Sequence, residues 1–196
     1  ISKHFEEFVE TGLEGVVAKR LDGEYAAGSR NFNWIKLKRS YRGELQDTID
    51  VCVVGYFRGR GHRARFGVGA LLVAVYDPRE DDFKTISKVG SGFTEEQFME
   101  LKEMLDEISL KKKHPRVESV VEADTWVTPR YVVTVTADEI TRSPMHTAGR
   151  DKKGVGYALR FPRAVGFLRA DKSPEDSNTV EEIIKMERQQ KKVKVR

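Results

Sequence analysis

Cysteine is almost missing from this chain: Cys52 is the one thiol among 196 residues. An internal disulfide and a cysteine-built metal cluster are therefore excluded. The four histidines are scattered, with no HxH or HExxH pair, which argues against a structural zinc site. Long apolar runs are missing too. Gly67–Tyr76, among the longest, falls far short of the roughly 20 residues a membrane span needs. The P-loop pattern GxxxxGK[ST] is absent, so Gly67-Val68-Gly69 is not a phosphate loop. The opening residues Ile1-Ser2-Lys3 contain neither Met nor a charged-then-apolar leader. The expectation is a non-secreted piece of something longer.

What is present is charge. The chain is 34% charged and 39% hydrophobic, a globular composition with room for one good-sized domain or one plus part of another. The net charge is only +4, with a pI near 9.1. Placement matters more than the sum. Arg58–Arg65 holds Arg58, Arg60, Arg63 and Arg65 with no acid. Lys111–Lys113 is a basic triplet, and the last twelve residues hold six Lys or Arg against one Glu. Such patches suit polyanions; the plain alternative is a solvated surface. Few Asn, Gln and Cys beside many Lys, Glu and Arg agree with a heat-adapted source.

Periodicity organises the chain. Ser2–Glu10 reads as a helix end and Leu13–Lys19 as a Val-rich strand. Residues 20–33 read as a loop, Trp34–Lys38 as an alternating strand and Arg39–Asp47 as a linker. Strands are predicted at Asp50–Phe57, Val68–Tyr76 and Phe83–Val89, with the arginine-rich segment as a turn. Thr94–Ser109 is the clearest helix, opened by a capping box, with Phe98, Leu101, Leu105 and Ile108 on one stripe. Trp126–Thr136 and Tyr157–Leu168 supply fourth and fifth strand regions, and Thr179–Gln190 a last helix. The fold class expected is mainly β with helices: a five-stranded OB-fold barrel with an inserted helix and a C-terminal helix. Phe161 and Phe167 are expected to anchor its far end.

Four stretches carry possible chemistry. Glu14 sits in an apolar strand beside Gly15. A buried carboxylate needs a cation, a hydroxyl or a metal; the alternative is a strand end facing water. Lys36 and Lys38 share a strand face about 6–7 Å apart, where a phosphate would relieve their repulsion. The alternative is an edge strand protected by lysines. Arg30 follows a Gly28-Ser29 turn and can close over the same anion. Arg169 and Lys172, with Asp171 between them, form a compact cluster able to hold a pyrophosphate, or else a surface salt bridge.

Taken in order, Leu13-Glu14-Gly15-Val16-Val17-Ala18-Lys19, Tyr25-Ala26-Ala27-Gly28-Ser29-Arg30, Trp34-Ile35-Lys36-Leu37-Lys38, Val53-Val54-Gly55-Tyr56 and Arg160-Phe161-Pro162-Arg163 with Arg169-Ala170-Asp171-Lys172 closely resemble the ATP-dependent DNA ligases, especially the archaeal type. Lys88-Val89-Gly90-Ser91-Gly92-Phe93 and Ile140-Thr141-Arg142-Ser143-Pro144 match as well. The resemblance implies nucleotidyltransferase motifs IV and V within a remnant of the α+β adenylation domain (1–43). It also implies an OB-fold domain ending in motif VI (44–178), then a helix and basic tail (179–196). It implies sealing of nicks in double-stranded DNA, in replication, recombination and repair, through an enzyme–AMP intermediate. ATP and Mg2+ are the implied cofactors, with Glu14 holding magnesium and positioning the nucleotide, and Arg30 binding the nucleotide. Lys36 and Lys38 would contact the α-phosphate, and Arg169, Asp171 and Lys172 would orient the leaving pyrophosphate. Arg58, Arg60, Arg63 and Arg65 would touch the DNA backbone. The implied partners are nicked DNA, the missing N-terminal part of the ligase and a sliding clamp, in the cytoplasm and near the nucleoid. No membrane partner is implied.

Two departures stand out. The family nucleophile lies in Lys-x-Asp-Gly, and this chain has none. Arg20-Leu21-Asp22-Gly23 is a decoy, since an arginine stays protonated and cannot attack. The isolated chain is therefore expected to be inactive. Thr134 stands where relatives often carry glutamate. The competing readings are an RNA ligase or mRNA capping nucleotidyltransferase, and a non-catalytic OB-fold module that binds nucleic acid.

Overall fold

The computed structural model describes residue 8 and residues 15–24, 32–38 and 47–190. They belong to two units, one within residues 1–44 and one within 45–190, each taken by itself below. The expected opening helix and linker fall, except for Phe8 and Asp47, outside the described residues.

The first unit is a two-stranded antiparallel ladder. Strand β1 (Gly15–Lys19) pairs with β2 (Trp34–Lys38), with Val17 opposite Lys36. The Arg20 amide extends the ladder by donating to the Asn33 carbonyl at 2.7 Å. The Lys19 ammonium lies 4.6 Å over the half-exposed Trp34 ring.

The second unit begins with β3 (Ile49–Arg58), a 3₁₀ turn (Gly61–Phe66), β4 (Val68–Asp77) and β5 (Asp82–Val89). Helix α1 (Glu95–Glu107) follows, then short β6 (Ser109–Leu110), β7 (Val117–Glu118) and β8 (Thr125–Val127). Then come β9 (Val132–Thr136), β10 (Glu139–Ser143), β11 (Gly156–Arg160), β12 (Arg163–Arg169), a 3₁₀ turn (Pro174–Asp176) and α2 (Val180–Gln189). The main sheet runs β12-β9-β3-β4-β5-β7, with β8 also on β3. It curls until the corner between β11 and β12 returns to the end of β5. There the Ala164 amide donates to the Ser91 carbonyl at 2.9 Å and the Ser91 hydroxyl to the Pro162 carbonyl at 3.1 Å. Ser87 Oγ donates to the Leu159 carbonyl at 3.2 Å. Strands β3, β4, β5, β9 and β12 thus follow the five-strand OB-fold plan.

The seam explains one glycine. Gly92 has φ +97, and a Cβ there would come within 2.2 Å of the Ala164 carbonyl oxygen. Only glycine admits both the backbone and the approach.

Two apolar clusters hold the barrel. Ile49, Val51, Val53, Leu71, Val73 and Val75 lie on one face with Phe98, Leu101 and Leu105 of α1 and Ile183 of α2. On the other face Cys52, Val54, Leu72 and Ala74 pack with Phe83, Val117 and Trp126. Both faces of β3 and β4 are therefore covered, which is why these strands read as near-continuous apolar runs. Cys52 is fully buried, and burial pushes its thiol well up, so it stays a neutral core residue. Both helices open with the expected capping boxes: Thr94 with Gln97, and Thr179 with Glu182.

Three sequence expectations change. The predicted strand Tyr157–Leu168 is two strands, broken at Phe161-Pro162, where proline cannot donate to a ladder. Phe161 does not anchor the barrel. It sits at φ +49, is 56% exposed, and lies beneath the Arg160 guanidinium at 5.3 Å. Phe167 does pack on the core. The predicted strand Trp126–Thr136 likewise divides into β8 and β9 around Pro129. The arginine-rich segment is a turn as expected, of 3₁₀ form.

Candidate nucleotide and nucleic-acid sites

Glu14 and Arg30 lie outside the described residues. Lys36 and Lys38 both lie on β2, and Lys36 is exposed. The decoy arginine is occupied: Arg20 forms a fork with the Asp22 carboxylate at 2.7 and 3.0 Å.

In the second unit, β12 delivers Arg169 to the edge of the sheet, and Asp171 and Lys172 follow immediately. Arg169 donates Nε and Nη2 to both oxygens of Asp171, at 2.7 and 2.6 Å. That fork holds the Asp171 carboxyl down at about 2. The third guanidinium nitrogen of Arg169 reaches Thr134 Oγ1 at 3.3 Å. Lys172 donates to Asp50 Oδ2 at 2.5 Å. The expected cluster is thus assembled, with two further members: Asp50 on β3 and Thr134 on β9, which are register partners. The Asp50 carboxylate is largely buried. Burial alone would raise its pKa, yet hydrogen bonds from Lys172 and Thr134 and the charge of Arg169 outweigh that and leave it lowered. Sequence reasoning missed Asp50 because it looks like an ordinary strand-start residue. Its one signal was an acid at the head of an apolar run.

The four arginines of the basic segment differ in what they do. Arg63 is turned inward: its Nη1 donates to the Gly69 carbonyl at 3.2 Å and to the Gly90 carbonyl, and its guanidinium covers Phe98 at 5.4 Å. Arg65 pairs with Glu95 at 2.6 Å and lies over Phe66. Arg58 and Arg60 are exposed, and their side chains have no partner among the described residues. The Arg58 backbone amide is fixed by Asp124 at 2.8 Å. Lys88, 3.8 Å over the Phe57 ring, adds an exposed cation that the sequence had not singled out for DNA.

A group of acids, Asp77, Glu80 and Asp82, has ligand-like spacing. Its centre is taken by the buried ammonium of Lys84, bonded to Glu80, Asp82 and Glu118. Burial alone would lower the Lys84 pKa, but those carboxylates reverse the shift and keep it charged. Asp82 Oδ1 keeps no hydrogen-bond partner among the described residues, but the ammonium already stands where an ion would sit, so the group reads as an ion-pair network rather than a metal site.

Comparison with known proteins decides the family. The family described as "ATP dependent DNA ligase C terminal region" matches residues 64–172, and "ATP dependent DNA ligase domain" matches residues 1–38. The chain belongs to the ATP-dependent DNA ligase family. A probable DNA ligase of Dictyoglomus turgidum is 62% identical over 195 residues, covering 100% of the chain and 34% of that relative. A DNA ligase of Pyrobaculum islandicum is 49% identical, covering 98% of the chain and 33% of the relative. The chain therefore spans about a third of the length of these ligases. Among solved structures, mycobacterial DNA ligase D complexed with ATP and MES is 27% identical with a TM-score of 0.48, covering 91% of this chain and 50% of that one. Within the ligase family, the match at residues 64–172 ends on Lys172, the last member of the cation cluster. No helix among the described residues is long and apolar enough to cross a membrane.

Proposed function

We propose that this chain supplies the C-terminal third of an ATP-dependent DNA ligase that seals nicks in duplex DNA through an enzyme–AMP intermediate. The carrying observation is the Arg169–Asp171–Lys172 cluster at the end of β12 in a chain of this family. A forked guanidinium and a neighbouring ammonium suit a pyrophosphate leaving group, whose charge grows as the α-phosphate is transferred. Lys36 and Lys38 are assigned to the α-phosphate, Arg30 to the nucleotide, and Glu14 to a magnesium ion that would shield the triphosphate. Asp171 orients Arg169 rather than touching phosphate. The Lys-x-Asp-Gly lysine must come from sequence this chain does not contain. We assign residues 1–43 to the adenylation domain, 44–178 to the OB-fold domain and 179–196 to a terminal helix and tail. The Arg39–Asp47 segment is assigned as the hinge between them. A sliding clamp is a compatible partner, and the cytoplasm near the nucleoid is the compatible place.

Arg58 and Arg60, together with Lys88, are assigned to the DNA backbone. Phosphate contacts position a duplex without reading its sequence, which suits a sealing enzyme. Replacing Arg58 and Arg60 together by alanine is expected to weaken binding of nicked duplexes equally across sequences. The slope of log affinity against log salt should flatten by about 2. An unchanged slope would remove these arginines from the interface.

A further inference from the structure

The cation cluster assigned to pyrophosphate is electrically balanced in this structure. In direct contact, Arg169 and Lys172 face Asp171 and Asp50, two cations against two carboxylates, and Asp176 and Glu182 also lie close enough to feel the Lys172 charge. An anion receptor with no net charge attracts anions poorly. Of the two carboxylates, Asp171 is 65% exposed and shares its fork with solvent, whereas Asp50 is 14% exposed and built into the sheet.

Asp50 is also held from several sides. Its amide donates to Asn178 Oδ1 and its carbonyl accepts from the Asn178 amide, both at 2.8 Å. Its Oδ1 accepts the Thr134 hydroxyl proton, while the same Thr134 oxygen accepts from Arg169. One hydroxyl therefore links carboxylate to guanidinium with its single proton fully used. Strands β3, β9 and β12 are neighbours, so the row Asp50–Thr134–Arg169 crosses the sheet, and Lys172 folds back onto its first member.

We propose that Asp50 is an internal counter-anion that occupies the phosphate-binding cations of Arg169 and Lys172 at rest. A polyphosphate must displace it, and Lys172 swings from Asp50 to the phosphate when the site is engaged. This inference rests on the polyphosphate assignment above and adds a positioning residue to it. The arrangement keeps two partly exposed cations aimed in the absence of substrate, and it discourages weaker anions from binding. A triphosphate carries enough charge to win the exchange; a lone chloride or carboxylate does not.

The test is the affinity of the 196-residue chain for inorganic tripolyphosphate, measured by calorimetry at fixed ionic strength, with thermal melts to confirm folding. Asp50→Asn removes the carboxylate that both cations contact and is expected to bind about three- to tenfold more tightly. Asp50→Glu restores the charge and should return the affinity to near the wild-type value. Thr134→Val, which cuts the hydroxyl link and keeps the carboxylate, should shift affinity in the same direction by less; it also serves if Asp50→Asn does not fold. Lys172→Ala should weaken binding. If Lys172→Ala weakens binding but neither Asp50→Asn nor Thr134→Val strengthens it, the counter-anion role is wrong and the phosphate assignment stands. If Arg169→Ala and Lys172→Ala leave affinity unchanged, the phosphate assignment itself fails and the counter-anion role goes with it.

Discussion

Arg58, Arg60, Arg63 and Arg65 are indistinguishable by composition, yet they divide into two working pairs. Arg63 is tied to two backbone carbonyls and to Phe98, so it shapes the 3₁₀ turn against β4 and the end of β5. Its replacement by alanine is expected to destabilise the fold by about 1–2 kcal/mol in a urea melt while leaving the salt slope of DNA binding nearly intact. A change in the slope without a change in stability would reverse this division. His146 offers a second test at the same scale. It is 8% exposed, and its Nδ1 is sealed from solvent with no hydrogen-bond partner among the described residues. Burial and the nearby Lys88 charge lower it to about 4, so it is neutral at pH 7. In the unfolded chain it protonates near 6.5. The stability it contributes is therefore full above that value and is lost as pH falls from about 6.5 to about 4, roughly 3 kcal/mol in all. His146→Gln should show a shallower loss over that window than the wild type; parallel curves would show that His146 does not titrate as described.

The elements show which features the sequence can declare. Helices α1 and α2 were legible because their capping boxes and apolar stripes are local signals, and both form as read. Strands β3 and β4 were legible as unbroken apolar runs because both faces are covered. The corner at Phe161 was not legible. Its positive φ is imposed by the return of the chain to Ser91 and Gly92, contacts about 70 residues away in sequence. Short strands such as β7 were missed for a related reason: two residues carry no periodicity, and β7 exists only because β5 lies beside it. The cation cluster was half legible. Arg169, Asp171 and Lys172 are close in sequence, while Asp50 joins them from 122 residues upstream of Lys172 through sheet pairing. The barrel seam should be the weak point of the fold. Gly92→Ala places a methyl against the Ala164 carbonyl at a positive φ and is expected to cost about 2–3 kcal/mol, read as a lowered melting temperature. An unaltered melt would show that the corner does not close on β5 as described.

On the scale of the whole molecule, the chain divides its chemistry between two units. One presents Lys36 of β2. The other carries a cation cluster on a closed barrel with exposed arginines elsewhere on the same unit. Such a division suits an enzyme that binds a nucleotide with one domain and brings a second domain to it only for the step that expels pyrophosphate. Arg169 and Lys172 are assigned to that step. The direct measurement uses a chimera in which this chain replaces the matching third of the Dictyoglomus turgidum relative, with single-turnover rates taken for two reactions. One is labelling of the enzyme by radioactive ATP; the other is sealing of a nick already carrying AMP on its 5′-phosphate. This chain alone should stay unlabelled, and the chimera should label. With Arg169 and Lys172 both changed to alanine, labelling is expected to fall by about 100-fold or more, while sealing of the pre-adenylated nick falls by far less. Equal losses in both reactions, or full labelling by the double variant, would contradict the account.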